Sequence, residues 1–165
     1  MNYKEAINKI TTFIFDVDGV LTDGTLSLSS SGELVRTMNT RDGYALQLAV
    51  KKGYNVCIIT GGSSQMVKKR LEGLGIKDVY LKIHYKIEVM DDYLAGLGLS
   101  NEEVLYMGDD MPDFDCIKEA GIGSCPQDAA HQIREISDYI SDYKGGKGCV
   151  RDVIEQTLKL HNKWE

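Results

Sequence analysis

The chain has 165 residues, of which 42% are hydrophobic and 27% are charged, and its formal net charge is −6 at pH 7. These proportions are typical of a globular protein, and the length favours a single domain over residues 1–165. The negative charge argues against a nucleic-acid partner or an anionic membrane surface, because the phosphates of either would repel the protein.

The N-terminal segment MNYKEAINKI lacks the apolar stretch of a signal peptide. No apolar run approaches the ~18 residues that would indicate a membrane span. Four widely spaced cysteines form no Cys-x-x-Cys pair: Cys57, Cys116, Cys125 and Cys149. We therefore expect reduced and mostly buried thiols in a cytoplasmic protein.

The first predicted strand, residues 12–17, runs into Asp16 and Asp18, and Gly19 follows at once. In open parallel sheets, ligands bind beyond the carboxyl ends of the strands. Side chains two residues apart on an extended chain point the same way, so both carboxylates can face one ligand. Gly19 allows a sharp turn and a close approach to the backbone.

A β-hairpin flap is predicted over residues 24–39. Leu26 and Leu28 alternate with polar residues, and a Ser-Ser-Ser-Gly turn then leads into a second strand-like run. Because a lone hairpin is marginally stable in water, its apolar face is a predicted contact between subunits.

The next predicted strand, residues 55–59, ends at Thr60 with Gly61 and Gly62 behind it. A hydroxyl and free backbone N–H groups at a strand end can hold phosphoryl oxygens. A helical stripe follows, then a short strand over residues 79–81. Lys86 begins the next helix, where its ammonium could neutralise a phosphate and a carboxylate.

Another apolar strand, residues 104–107, leads into Asp109, Asp110 and Asp113. If this strand lies beside the first, several carboxylates converge. Each pair of like charges at ~4 Å costs about 4 kcal/mol at an effective dielectric of 20, so the cluster requires a cation. Oxygen ligands beside a phosphate favour Mg²⁺.

Further strand and helix patterns follow, and the C-terminal tail, residues 144–165, opens on a glycine-rich KGGKG segment. The alternation of strands and helices predicts an α/β fold, a Rossmann-like three-layer structure with an open parallel sheet. The segments between the motifs are too short for a cap domain.

The motifs Asp16-x-Asp18, Thr60-Gly61, Lys86 and Gly108-Asp109-Asp110-x-x-Asp113, in this order, resemble those of the haloacid dehalogenase superfamily of phosphohydrolases. The stretches FDVDGVLTDG, TRDGYA and KGGKGCVRD narrow the resemblance to a capless branch, the 3-deoxy-D-manno-octulosonate 8-phosphate (KDO 8-phosphate) phosphatases of lipopolysaccharide precursor synthesis. The chain departs from that branch at Lys82, where glycine is usual, and at Lys147, where arginine or histidine is usual.

The resemblance implies that Asp16 attacks the phosphorus to form an aspartyl-phosphate. It implies that Asp18 protonates the leaving sugar oxygen and then activates water. The implied Mg²⁺ ligands are the Asp16 carboxylate, the Asp18 backbone carbonyl and Asp109, with Asp110 and Asp113 holding metal-bound waters or nearby loops.

It further implies that Thr60, the Gly61 amide and Lys86 stabilise the phosphoryl oxygens. The substrate is then a sugar-acid phosphate. Three cations are candidates for binding its carboxylate: first Arg70, which would reach the site of a neighbouring subunit, then Arg41 and Lys147. Since a capless site lies open, another subunit is expected to supply the lid, and the resemblance implies a homotetramer.

Three alternative functions are considered, and sequence features distinguish them. A phosphatase for a nine-carbon sugar-acid 9-phosphate would share every motif, although Gly62 stands where an acidic side chain would favour that substrate. A non-catalytic oligomerisation module would not need the intact Asp18. A signalling receiver domain would place its acidic pair first in the chain, whereas here Asp109 and Asp110 follow the lysine.

Overall fold

The computed structural model describes residues 2–165. Its elements follow one another along the chain as α1 (Tyr3–Asn8), β1 (Thr12–Phe15), β2 (Ser27–Leu28), β3 (Leu34–Val35), α2 (Thr40–Lys51), β4 (Asn55–Ile59), α3 (Gln65–Gly73), β5 (Asp78–Tyr80), α4 (Lys86–Leu97), β6 (Val104–Met107), α5 (Phe114–Glu119), β7 (Ile122–Cys125), α6 (His131–Ile136), β8 (Tyr139–Ile140) and α7 (Cys149–Leu160). Short 3₁₀ turns at Asn101–Glu103 and Met111–Asp113 flank β6.

Six strands form one parallel sheet in the order β5-β4-β1-β6-β7-β8. The central strand β1 pairs with both neighbours, so that Ile14 lies between Cys57 and Tyr106. After β1 the chain builds the sheet outward to one side through β4 and β5, and then returns to build β6, β7 and β8 on the other. The order therefore reverses at β1, which is where open α/β sheets bind their ligands.

The sheet is covered on both faces. Phe13 and Phe15 point into a core shared with α2, α3 and α7, whereas Ile14 points into a second core shared with α4, α5 and α6. Burial on both faces explains why the strands are almost continuously apolar. The three-layer α/β fold is confirmed, and the described residues contain no inserted cap domain. No helix within residues 2–165 is both long and apolar enough to cross a bilayer.

The predicted strands at residues 55–59 and 104–107 match β4 and β6. Strand β1 ends at Phe15, so Asp16 and Asp18 already belong to the loop that follows it. Helix α1 and strand β8 were not predicted. The Asn2 side chain caps α1 by accepting from the Lys4 N–H at 3.0 Å, and β8 has only two residues at the sheet edge.

The hairpin is present, with β2 and β3 antiparallel and Ser27 paired with Val35. Its four strand residues are all exposed. The four cysteines are free and buried, as predicted.

Candidate active site

The loop after β1 is anchored in the sheet. The Asp16 N–H donates to the Met107 carbonyl at 3.1 Å, continuing the β1–β6 pairing, and Asp16 Oδ1 accepts from the Val17 N–H at 2.7 Å. Gly19 has a φ of 85°, and a Cβ at this position would clash with the Asp109 carboxylate. Glycine is therefore required where the two acidic loops meet.

Lys86 is buried in the first turn of α4, and its ammonium lies between two carboxylates. Its Nζ is 3.0 Å from Asp16 Oδ2 and 2.8 Å from Asp113 Oδ1. Burial by itself lowers the pKa of this lysine, but the charges of Asp16 and Asp113 outweigh burial and raise it. The side chain therefore stays an ammonium ion at neutral pH.

Asp113 is fully buried and organises the loop after β6. Its Oδ1 accepts from the Tyr106 hydroxyl at 2.6 Å and its Oδ2 from the Asp109 N–H at 3.0 Å. Tyr106 was not predicted, and no sequence signal marks it, because it lies in the middle of an apolar strand. Asp110 is exposed, and its Oδ1 caps the following 3₁₀ turn by accepting from the Met111 N–H at 2.8 Å.

Three carboxylates form a candidate metal centre. One oxygen each of Asp16, Asp109 and Asp113 lie within 4.8 Å of one another. Burial, followed by the charge of Asp113, raises the pKa of Asp16 well above its usual value and that of Asp109 to about 7. A cation would relieve this repulsion, and hard carboxylate oxygens suit Mg²⁺. The Asp18 side chain lies outside this group.

Thr60 and Gly61 lie on the next loop. Thr60 is buried, and its Oγ1 accepts from the Gly62 N–H at 3.1 Å. The Thr60 carbonyl accepts from the Ile83 N–H at 3.0 Å, so the loops after β4 and β5 are held together. A cleft of about 410 Å³ is lined by the predicted residues Asp16, Asp18, Thr60, Gly61, Lys86, Asp109 and Asp110, and also by Gly24, Gly62, Ile83, His84 and Pro112.

Asp18 is held by a residue that was not predicted. Arg36, just after β3, donates from Nε to Asp18 Oδ1 at 2.6 Å and from Nη2 to Asp18 Oδ2 at 3.1 Å. The signal that could have found Arg36 is the hairpin register. The hairpin begins near Gly24 and pairs Ser27 with Val35, so the residue after Val35, which is Arg36, lies beside the Asp18 loop.

The three candidate cations for the sugar carboxylate lie elsewhere in the chain. Arg41 and Lys147 line a separate pocket of about 330 Å³ together with Arg151. Arg70 is exposed on α3, with its Nη2 beside Gly43. A single chain therefore does not bring these residues to Asp16, and their role in substrate binding stays a prediction.

Comparisons with known proteins agree with this geometry. A family model described as haloacid dehalogenase-like hydrolase matches residues 38–126. The 3-deoxy-D-manno-octulosonate 8-phosphate phosphatase of Salmonella typhi is 34% identical over 154 residues, which are 93% of this chain and 82% of that protein. The enzyme of the same name from Yersinia pestis is 33% identical over 156 residues, 94% of this chain and 83% of that protein.

Solved structures are similarly close. A crystal structure of the Yersinia pestis phosphatase has a TM-score of 0.94 and 31% identity, with 97% of this chain and 86% of that chain covered. The Moraxella catarrhalis phosphatase was solved in complex with a magnesium ion, a phosphate ion and KDO. It has a TM-score of 0.92 and 36% identity, with 98% of this chain and 94% of that chain covered.

Proposed function

We propose that this chain, which belongs to the haloacid dehalogenase-like hydrolase family, is a Mg²⁺-dependent phosphatase. Its reaction is the hydrolysis of KDO 8-phosphate to KDO and phosphate, a step in lipopolysaccharide precursor synthesis. The full-length similarity to phosphatases of that name supports the substrate. The observation that carries the chemistry is the buried Lys86 ammonium, fixed between Asp16 and Asp113 at the floor of the cleft.

The cleft provides the groups that phosphoryl transfer needs. Asp16 is the nucleophile, and its attack on phosphorus yields an aspartyl-phosphate and divides one difficult hydrolysis into two steps. The Thr60 hydroxyl, the Gly61 N–H and the Lys86 ammonium surround the position of the phosphoryl oxygens, where negative charge must be stabilised.

Asp18 is the acid and base of the proposed reaction. Its carboxylate lines the same cleft as Asp16, two residues further along the loop. It gives a proton to the leaving sugar oxygen and later takes one from the water that attacks the aspartyl-phosphate. Arg36 contacts this carboxylate and so lies next to the leaving group.

The acidic group fits a magnesium ion such as the one in the Moraxella catarrhalis structure. The carboxylates of Asp16 and Asp109 would hold Mg²⁺ together with the Asp18 backbone carbonyl, and Asp110 and Asp113 would hold its waters or the surrounding loop. When bound, the ion would offset the negative charge of Asp16 and of the phosphoryl group. Asp113 already holds the Asp109 N–H and Lys86 in place.

The test is phosphate release with Mg²⁺ from KDO 8-phosphate, a nine-carbon sugar-acid 9-phosphate and an aryl phosphate. We expect a strong preference for KDO 8-phosphate and no turnover by Asp16→Asn. Asp91→Asn, which alters an exposed carboxylate on α4, is the matched control and should keep full activity. Preference for the nine-carbon substrate would overturn the assignment, and release from none of the three would favour a non-catalytic module.

We also propose a homo-oligomer, of four subunits by resemblance, that joins through the hairpin. Leu28 is 83% exposed, Leu34 is 44% exposed, and Met66 on α3 is 64% exposed. Such apolar surface on a two-stranded hairpin is stabilised when a second copy covers it. Arg70 is exposed on the same helix as Met66 and would be carried to a neighbour's site.

Light scattering tests the assembly. The wild-type protein should have the mass of four subunits, and Leu28→Glu should shift the mass towards one subunit. A monomeric wild-type protein at micromolar concentration would refute the proposal. We place the enzyme in the cytoplasm, because its four cysteines are free, as expected in a reducing compartment.

A further inference from the structure

Arg36 joins the hairpin to the active-site loop through a partly buried ion pair. Its side chain is 6% exposed, and that of Asp18 is 36% exposed. Both oxygens of Asp18 are engaged by the guanidinium, and Arg36 Nη1 also donates to the Leu34 carbonyl at 3.3 Å. While this pair persists, each oxygen of Asp18 accepts a hydrogen bond from Arg36, which restricts how the carboxylate can approach a leaving group.

The chain leaves room for the guanidinium at the turn after β4. A Cβ at Gly62 would be 2.9 Å from Arg36 Nη2. A larger residue at position 62 would therefore push the guanidinium away from Asp18. Gly62 and Arg36 thus act together, the one providing the space that the other occupies.

Arg36 lies at the junction of two clefts. Asp18, Gly61 and Gly62 line both the phosphoryl cleft and a neighbouring cleft of about 660 Å³ beneath the hairpin. A substrate whose phosphate lay at Lys86 would have its leaving group near Asp18, and the second cleft offers space for the rest of the molecule. Of the residues lining it, all within the described part of the chain, Arg36 is the one that carries a positive charge, and Asp18 and Glu33 are negative.

We propose that Arg36 is a specificity-determining residue that exchanges carboxylates: its guanidinium leaves Asp18 and binds the carboxylate of the sugar acid. The exchange frees Asp18 to contact the leaving oxygen, and at the same time Arg36 holds the substrate. This inference rests on the proposed function, since it requires a substrate that carries both a phosphate and a carboxylate.

The chemistry of arginine favours such an exchange. A guanidinium presents a planar fork of donors that fits any carboxylate in a bidentate manner. Replacing one carboxylate by another keeps the buried cation paired, whereas removing Asp18 without a substitute would leave an uncompensated charge. A phosphate ester without a carboxylate therefore cannot release Asp18 without leaving Arg36 unpaired. The enzyme should hydrolyse such an ester more slowly.

The test is a thermodynamic cycle in which residue 36 and the substrate carboxylate are changed separately and together. We would measure kcat/KM for KDO 8-phosphate and for its C1 methyl ester, with wild-type protein and with Arg36→Met. The wild-type enzyme should lose roughly 10- to 100-fold on the ester, the range expected when a hydrogen bond to a charged group is lost. Arg36→Met should turn over acid and ester at nearly equal rates, and the ester faster than wild type does, because Asp18 is free.

Two variants and one inhibition measurement distinguish a carboxylate exchange from a purely structural role of Arg36. Arg36→Lys, which keeps the charge but not the fork, should retain part of the preference for the acid, and Arg134→Met, on the exposed face of α6, should retain all of it. Inhibition by the product KDO should weaken in Arg36→Met, while inhibition by inorganic phosphate should not.

The inference is overturned if Arg36→Met loses activity equally on acid and ester, as a merely structural residue would. It is also overturned if Arg70→Met, rather than Arg36→Met, abolishes the difference between the two substrates. A wild-type enzyme that hydrolyses neither compound refutes the proposed function itself, and the inference with it.

Discussion

Lys82 has a backbone φ of 59°, in the left-handed region that is unfavourable for a residue with a Cβ. Its N–H donates to the Gly62 carbonyl at 3.0 Å, so the loop after β5 is held against the glycine turn after β4. The resemblance described in the sequence analysis predicts glycine here, and the left-handed backbone gives a physical reason for it. The lysine keeps the same conformation under strain because its neighbours in the loop hold it there.

Replacing Lys82 by glycine should stabilise the protein. Removing the Cβ relieves the left-handed strain, and part of the gain is offset by the greater backbone freedom of glycine in the unfolded chain, leaving a net increase of roughly 1 kcal/mol in the free energy of unfolding. Urea denaturation would measure it.

Lys77→Gly provides the matched control, since Lys77 is also an exposed loop lysine but does not have a positive φ. That change should lower the free energy of unfolding. Equal destabilisation by both substitutions would contradict the strain at Lys82.

The glycine-rich turn before α7 is an element with a structural function. The Gly146 N–H donates to the Val20 carbonyl at 3.0 Å, and the Gly145 N–H to Asp128 Oδ1 at 3.0 Å. A Cβ at Gly145 would clash with the Gly19 carbonyl oxygen. The turn therefore supports, from behind, the loop that carries Asp16 and Asp18.

Gly145→Ala should displace that loop and lower kcat by up to about 100-fold, because a shift on the order of 1 Å can have such an effect on reacting groups. Turnover of KDO 8-phosphate would be followed well below the melting temperature, so that unfolding does not contribute. Gly73→Ala in α3 is the control, since a Cβ there meets nothing within 4 Å, and it should leave kcat unchanged. An unchanged kcat in Gly145→Ala would refute the supporting role.

The alternation of strands and helices and the residues at the ends of the central strands could be predicted, because burial on both faces produces continuous apolar strands and parallel strands place their ends together. The short elements α1 and β8 could not. Asp16, Thr60 and Asp109 follow from that rule, whereas Lys86, at the start of α4, was singled out by the family resemblance. The Arg36–Asp18 pair could not be found in the same way, because it depends on how a two-stranded hairpin folds back. Nor could Tyr106, whose hydroxyl reaches Asp113 from within a strand.

The whole molecule concentrates negative charge at one edge of its sheet. Without a cation, burial and the charge of Asp113 raise the pKa of Asp109 to about 7, far above that of an unfolded aspartate. A carboxyl with a raised folded pKa contributes stability below its unfolded pKa, and this contribution is lost as the pH rises through the folded value. The metal-free protein is therefore less stabilised by this site at pH 8 than at pH 6.

Mg²⁺ should raise the melting temperature more at pH 8 than at pH 6. Protons compete with the ion for Asp109, so its apparent affinity should rise about tenfold per pH unit below 7 and level off above it. Calorimetry with and without a chelator would measure both effects. Asp109→Asn should abolish the pH-dependent shift, and Asp91→Asn should not. A shift equal at both pH values would contradict proton competition at Asp109.

The central position of β1 predicts that different parts of the molecule open at different rates. The backbone of Phe13, Ile14 and Phe15 is paired on both sides, so its amide hydrogens should exchange with solvent only on global unfolding. The hairpin, which is exposed in the single chain, should exchange fast wherever no second copy covers it. Asp16 directly follows this strand, whereas Arg36 directly follows the hairpin strand β3, so the two residues lie next to the parts of the chain that are expected to open slowest and fastest. A change in the hairpin can therefore alter the position of Arg36 without disturbing the strand that precedes Asp16.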